Sequence, residues 1–170
     1  MYKIIGTTGN IQNIDDFLKK INTLSKTYHI IIQALNADFV YNKDHLVSAV
    51  EHALRSFQSS MNSLNSLALE ILLYASGERQ IQKAIKKIGI QKDNQNIAVI
   101  IVSENNKRIP DDTIKNVLSN LHLIRDDKVL EGDIDTLQRF GIKEIELQTL
   151  PKDKYADIIL ERVALVDIIK

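Results

Sequence analysis

Apolar residues recur along this chain with two different periods, and each period predicts a different element. Residues 2–7 form a short β-branched run closed by Thr8-Gly9-Asn10, which predicts a strand entering a turn. Behind it, Ile14, Phe17, Leu18, Ile21 and Leu24 make one stripe at helical spacing, with Asn13 placed to cap the helix and Asp15 and Asp16 in the first turn, where the dipole favours them. Residues 29–35 are apolar almost throughout, a pattern that fits a central strand covered on both faces. Asn36-Ala37-Asp38 then turns the chain into a short apolar Phe39-Val40-Tyr41. From Lys43 to about Ser60, Leu46, Val47, Val50, Ala53, Leu54 and Phe57 follow a spacing that only a helix lines up. After the polar hinge Met61-Asn62-Ser63, residues 67–75 are apolar on every side except at Glu70, which predicts a buried helix ended by Gly77. Residues 78–89 predict an amphipathic helix with Ile81, Ala84, Ile85 and Ile88 inward, Lys83, Lys86 and Lys87 outward, and Gly89 at its end.

The second half is patterned less evenly. Residues 97–102 read as a third strand, and Pro110 opens a helix that carries Ile114, Val117, Leu118 and Leu121. Residues 125–135 are acidic and poorly patterned, residues 135–140 predict a short helix stopped by Gly141, and residues 142–150 fit a strand or a helix. The last element, from Lys154 to about Ile168, is a helix. Helices interleaved with a few strands predict an α/β (α+β) fold, a small central sheet of three to five strands covered by several helices, whose strand order the pattern does not give. With 170 residues, only two prolines and no repeat or linker, a single domain over residues 1–170 is expected.

Composition narrows the function more than the fold. Lys plus Arg number 22 and Asp plus Glu number 22, so no global positive field holds nucleic acid or membrane, and any RNA contact needs a local patch. The absence of cysteine removes disulfides, thiol nucleophiles and Cys-based metal sites. No stretch resembles a signal peptide, and no apolar run approaches the roughly 18 residues of a membrane span, so a cytoplasmic location is expected.

Motifs for chemistry are weak. Gly6-Thr7-Thr8-Gly9 lacks the Gly-Lys-Ser/Thr of a phosphate loop and reads as a turn. His45 and His52 lie two turns and about 10 Å apart on one helix, too far for one metal without a ligand between them. The pairs Asp15/Asp16 and Asp111/Asp112 suit helix first turns, and no serine elbow is present. No metal, cofactor or catalytic residue is expected. The alternative is a stand-alone ligand-binding or enzymatic α/β domain centred on Glu70, lone in its apolar helix, with Arg79 as charge partner.

Two features stand out. Arg79, Lys83, Lys86 and Lys87 gather near one another behind a glycine, which suits either a nucleic-acid backbone or a solvated helix face. The terminal helix carries more than one apolar stripe, and the excess suits either a protein partner or burial inside the fold. Ile158, Ile159, Arg162, Val163, Val166 and Ile169 are the candidate partner contacts.

Several strings together resemble a known family. They are Asn36-Ala37-Asp38-Phe39-Val40, His45-Leu46, Ala49 through His52-Ala53-Leu54, Leu69-Glu70-Ile71-Leu72-Leu73-Tyr74-Ala75-Ser76-Gly77-Glu78-Arg79-Gln80-Ile81, Ala84-Ile85, Ile88-Gly89-Ile90 and the closing Glu161-Arg162-Val163-Ala164-Leu165-Val166-Asp167. The chain resembles the PRPK-binding subunit of the KEOPS (EKC) complex in its archaeal form, densely from Asn36 to Val102 and again at the end, thinly from Lys107 to Leu150. The resemblance implies a non-catalytic subunit that binds the small atypical kinase of that complex on a helical surface including the C-terminal helix. Through that kinase it is linked to the sugar-kinase-like enzyme that installs threonylcarbamoyl on adenosine next to the anticodon. In archaeal relatives it implies recruitment of tRNA by the single-stranded 3′ CCA end.

Overall fold

The computed structural model describes residues 1–169, with the backbone alone given for Ile169. The chain divides into two compact units, residues 1–37 with 90–129 and residues 38–89 with 130–170.

The first unit is a sheet covered by two helices. Strands β1 (Tyr2–Thr8), β2 (Ile30–Asn36), β3 (Asn96–Ser103) and β4 (Ile124–Arg125) form an antiparallel sheet in the order β2-β3-β1-β4. Tyr2 faces Val102 between β1 and β3, and Ile30 faces Ser103 between β2 and β3. The fold is therefore α+β, with β3 and β1 as the inner strands. The apolar run in β2 fits a central strand, yet β2 is an edge strand, because an apolar run reports burial and not hydrogen-bonding position. The turn read at Gly6-Thr7-Thr8-Gly9 begins later than expected, since β1 runs to Thr8.

Gly6 is required there by space. A Cβ would lie 2.5 Å from the Asp126 carbonyl oxygen, in a segment whose Asp127 carboxylate accepts from the Gly6 N–H at 2.9 Å. Helix α1 (Ile14–Tyr28) is capped as its sequence predicts, Asn13 accepting from the Asp16 N–H. With α5 (Asp111–Asn120) it buries Phe17, Ile21, Leu24, Val117 and Leu118 against Ile32, Val99 and Ile101 of the sheet. Leu18, expected in the same stripe, is 45% exposed.

The second unit is helical. It contains α2 (Lys43–Gln58), α3 (Leu67–Ser76), α4 (Ile81–Ile88), α6 (Ile134–Phe140), α7 (Glu144–Gln148) and α8 (Tyr155–Ile169). Helix α3 is the buried one, closed from Glu70 to Ser76 and ended by Gly77 at φ 67°, a left-handed value that suits glycine. The ambiguous 142–150 stretch holds the short helix α7. Leu137, Phe140, Ile142, Leu147, Ile158 and Ile159 form one cluster within this unit, and α8 also packs on α2 and α3. No described helix is long and apolar enough to cross a membrane.

Candidate protein and nucleic-acid interfaces

Helix α8 carries the candidate protein contacts, and the structure redistributes them. Ile158, Ile159, Val163 and Val166 are 6, 1, 0 and 0% exposed, so these four are core and not free surface. The apolar excess has an internal cause. A helix held against both α2 and α3 needs more than one stripe, and the second stripe is used inside the unit. Arg162 is turned onto Glu146, its guanidinium donating to that carboxylate. The side chain of Ile169 lies outside the described residues. Among its described residues α8 leaves Asp157, Glu161, Ala164, Asp167 and Ile168 outward, with Leu160 and Leu165 half-buried beside them, and Ile168 is 79% exposed. Met61, after α2, is 70% exposed.

The cationic cluster is likewise reduced. Arg79, Lys83 and Lys86 are exposed, but Lys87 is not on their face. Its ammonium donates to the Ser76 carbonyl at 2.8 Å and to the Glu78 carboxylate at 3.3 Å, and it lies 3.9 Å from the centre of the Phe140 ring. Loss of water around it pulls the Lys87 pKa below the ordinary lysine value, an effect that Glu78 opposes. The reason is helical phase. The helix starts at Ile81 and not at Glu78, and its inward side is centred on Ala84 and Ile88 with the Lys87 stem beside them. Ile85, expected inward, is 47% exposed among the cations. Gly77 is the end of α3 and offers no free donor to a ligand, because its N–H bonds the Tyr74 carbonyl at 3.0 Å.

Beside this region lies a cleft of about 630 Å³, lined by Gly77, Glu78, Lys87, Phe140, Lys143 and Arg162 among others. Its carboxylates and two of its cations are already engaged as Glu78–Lys87 and Glu146–Arg162.

Glu70 and Arg79 do not form a site. The Glu70 carboxylate is fully buried and accepts from the Ser56 hydroxyl and the Ser63 N–H, each at 3.2 Å, and from the Leu64 N–H at 3.1 Å. It thereby closes the loop between α2 and α3. Arg79 stands exposed beyond the opposite end of α3.

The histidines of α2 have separate roles. His45 is buried. Its Nε2 donates to the Ala75 carbonyl at 2.8 Å, its Nδ1 has no hydrogen-bond partner, and its ring meets Phe140 edge-on with centres 5.3 Å apart. Burial, against the partial support of the Ala75 carbonyl, lowers its pKa from 6.5 to about 4. His52 instead meets Asp167 of α8, Nδ1 to Oδ2 at 2.6 Å, while the Tyr74 hydroxyl donates to Oδ1 of the same carboxylate. Sequence reasoning missed this cluster because 115 positions separate its His from its Asp, and no local spacing connects them. Among the described residues, no three His, Asp or Glu side chains gather as a metal ion would need.

Residues 9–167 match the family model described as kinase binding protein CGI-121. The chain belongs to the CGI-121 family. The match runs through both compact units. The regulatory protein Cgi121 of Methanocaldococcus jannaschii is 32% identical over 138 residues, covering 81% of this chain and 84% of that protein. The EKC/KEOPS complex subunit CGI121 of Candida albicans is 30% identical over 101 residues, 57% of this chain and 50% of that protein. The resemblance drawn from the Leu69-to-Ile81 string thus holds, and with it membership of a kinase-binding family.

Proposed function

We propose that this chain is a non-catalytic, cytoplasmic subunit of a KEOPS-type complex, in which both units act as one domain that binds the small atypical kinase and brings it the 3′ CCA end of tRNA. The observation that carries the reading is the family match over residues 9–167, with an archaeal relative named as a regulatory protein and a fungal one named as a complex subunit. Through the kinase, the chain serves the sugar-kinase-like transferase that modifies the adenosine next to the anticodon.

Two surfaces support the division of labour. The outward side of α8 offers Ala164 and Ile168, with Leu160 half-buried, to a protein partner. The α4 side offers Arg79, Lys83 and Lys86 to phosphates, with exposed Ile85 between them as apolar surface for an unstacked base.

Titration calorimetry with the partner kinase tests the first surface. Ala164→Glu with Ile168→Glu is expected to weaken kinase binding at least about tenfold, as loss of a central apolar anchor does, with the melting temperature unchanged. Unaltered affinity would reject this face. Filter binding of tRNA tests the second. If Arg79, Lys83 and Lys86 each meet a phosphate of a single strand, the logarithm of affinity falls with the logarithm of salt concentration at a slope of about −2. Lys83→Glu with Lys86→Glu is expected to flatten that slope to about −0.7. Equal binding of tRNA lacking its CCA end would reject recruitment by the 3′ end.

A further inference from the structure

The last turn of α8 is buried on its inner side at Val166 and open beyond it. Asp167 and Ile168 are both exposed, Ile168 by 79%. Helix termini of this kind fray unless something ties them down. Here one carboxylate supplies the tie. Asp167 accepts from His52 Nδ1 of α2 and from the Tyr74 hydroxyl of α3, one oxygen for each donor. Because a carboxylate only accepts, the proton of this pair sits on Nδ1. The donors are themselves held. Tyr74 is fully buried, His52 is 16% exposed in its side chain, and their rings are tilted 34° with centres 5.4 Å apart. Three elements of the helical unit therefore meet at one side chain, and that side chain lies on the helix turn bearing Ile168, the most exposed large apolar residue of the unit among those described.

The same carboxylate forms a wall of a cleft of about 610 Å³ lined by Arg55, Ser56, Ser59, Met61 and Ser63. Two of the serine hydroxyls are bonded within the unit. Ser56 donates to Glu70, and Ser59 donates to the Arg55 and Ser56 carbonyls. Arg55, Ser59, Met61 and Ser63 are exposed on the rim, with Met61 as the large apolar side chain among them.

We propose that Asp167 is a positioning residue for kinase docking: the His52–Asp167–Tyr74 clasp fixes the last turn of α8 so that Ile168 and Met61 are presented in one arrangement. This rests on the reading that the partner kinase binds the outward face of α8. The clasp acts before binding. A partner that needs the turn in place binds more weakly in proportion to the fraction of time the turn is out of place. Asp167 itself is too engaged with His52 and Tyr74 to serve as the main charge contact.

Three variants test this: Asp167→Ala, Asp167→Asn and Tyr74→Phe. The full chain and the purified kinase are used, with calorimetric affinity, melting temperature and amide exchange of residues 163–168 as readouts. Asp167→Ala is expected to weaken kinase binding about tenfold and to speed exchange of the last turn, while the melting temperature falls little. Tyr74→Phe removes one of two ties and is expected to do the same in smaller measure. Asp167→Asn keeps an acceptor for Tyr74 and restores most of the affinity, which a direct charge contact with the kinase would not allow. Kinase affinity within twofold of the natural chain in a folded Asp167→Ala protein overturns the proposal. So does exchange of the last turn that does not change. If the natural chain fails to bind the kinase, the docking reading falls, while the exchange measurement still decides whether the clasp orders the turn.

Discussion

Val166→Glu is expected to unfold the helical unit and not merely to disable a contact. Val166 is fully buried on the inner side of α8. The substitution removes an apolar side chain worth about 1.5–3 kcal/mol of burial and leaves a carboxylate in its place with no partner designed for it. A combined cost above about 4 kcal/mol is a large part of the 5–15 kcal/mol by which a domain is stable. Circular dichroism is expected to show a cooperative melt that is strongly lowered or already lost at 25 °C. Ile168→Glu, two positions on, sits at a residue that is 79% exposed and is expected to change stability by no more than about 0.5 kcal/mol. The contrast has a use. A loss of kinase binding in Val166→Glu says nothing about docking, whereas a loss in Ile168→Glu does. A Val166→Glu protein that melts like the natural chain would show that the inner side of α8 is not core.

The second large effect is acid sensitivity at His45. Its folded pKa is lowered from 6.5 to about 4, with burial as the largest cause. The sign follows from which state binds the proton better. The unfolded chain takes up a proton near pH 6.5, whereas the folded one resists until about pH 4, so protonation favours unfolding. Stability from this group is complete above about pH 6.5, falls as pH drops below it, and is fully lost below about pH 4. A difference of this size is worth about 3 kcal/mol, at 1.36 kcal/mol for each pKa unit. The geometry agrees. A second proton would go to Nδ1, which is enclosed with no acceptor beside it, and Lys87 adds a like charge nearby. Urea unfolding at pH 7.5, 5.5 and 4.5 is expected to show a steady loss that His45→Leu largely removes over the same range. A loss of equal slope in His45→Leu would assign the acid sensitivity elsewhere.

The pattern of the chain was enough to place most helices and their ends. Asn13 and Gly77 act at the ends that the sequence marks for them, because caps are satisfied by neighbours three or four residues away. Local rules also named residues 67–75 as the buried helix. They failed where a residue's environment comes from elsewhere in the chain. Strand β4 is two residues long and exists through its pairing with Thr7 and Thr8. Lys87 looked like a surface cation, since charge and spacing alone do not reveal that Glu78, the Ser76 carbonyl and the Phe140 ring converge on it. The apolar residues of α8 looked like a surplus, since a single helix does not show how many neighbours it has.

The amino-acid sequence by itself determined the α+β class, the ends of α1 and α3 that Asn13 and Gly77 mark, the lack of any thiol chemistry, and membership of a kinase-binding family through the strings around Tyr74-Ala75-Ser76-Gly77. Tertiary structure alone decided which side of α8 is free, which lysines reach solvent, and that His52, Tyr74 and Asp167 meet. The difference is one of range. Periodicity and capping act within a turn or two of chain, while exposure and side-chain pairing depend on which distant segments fold back against a residue.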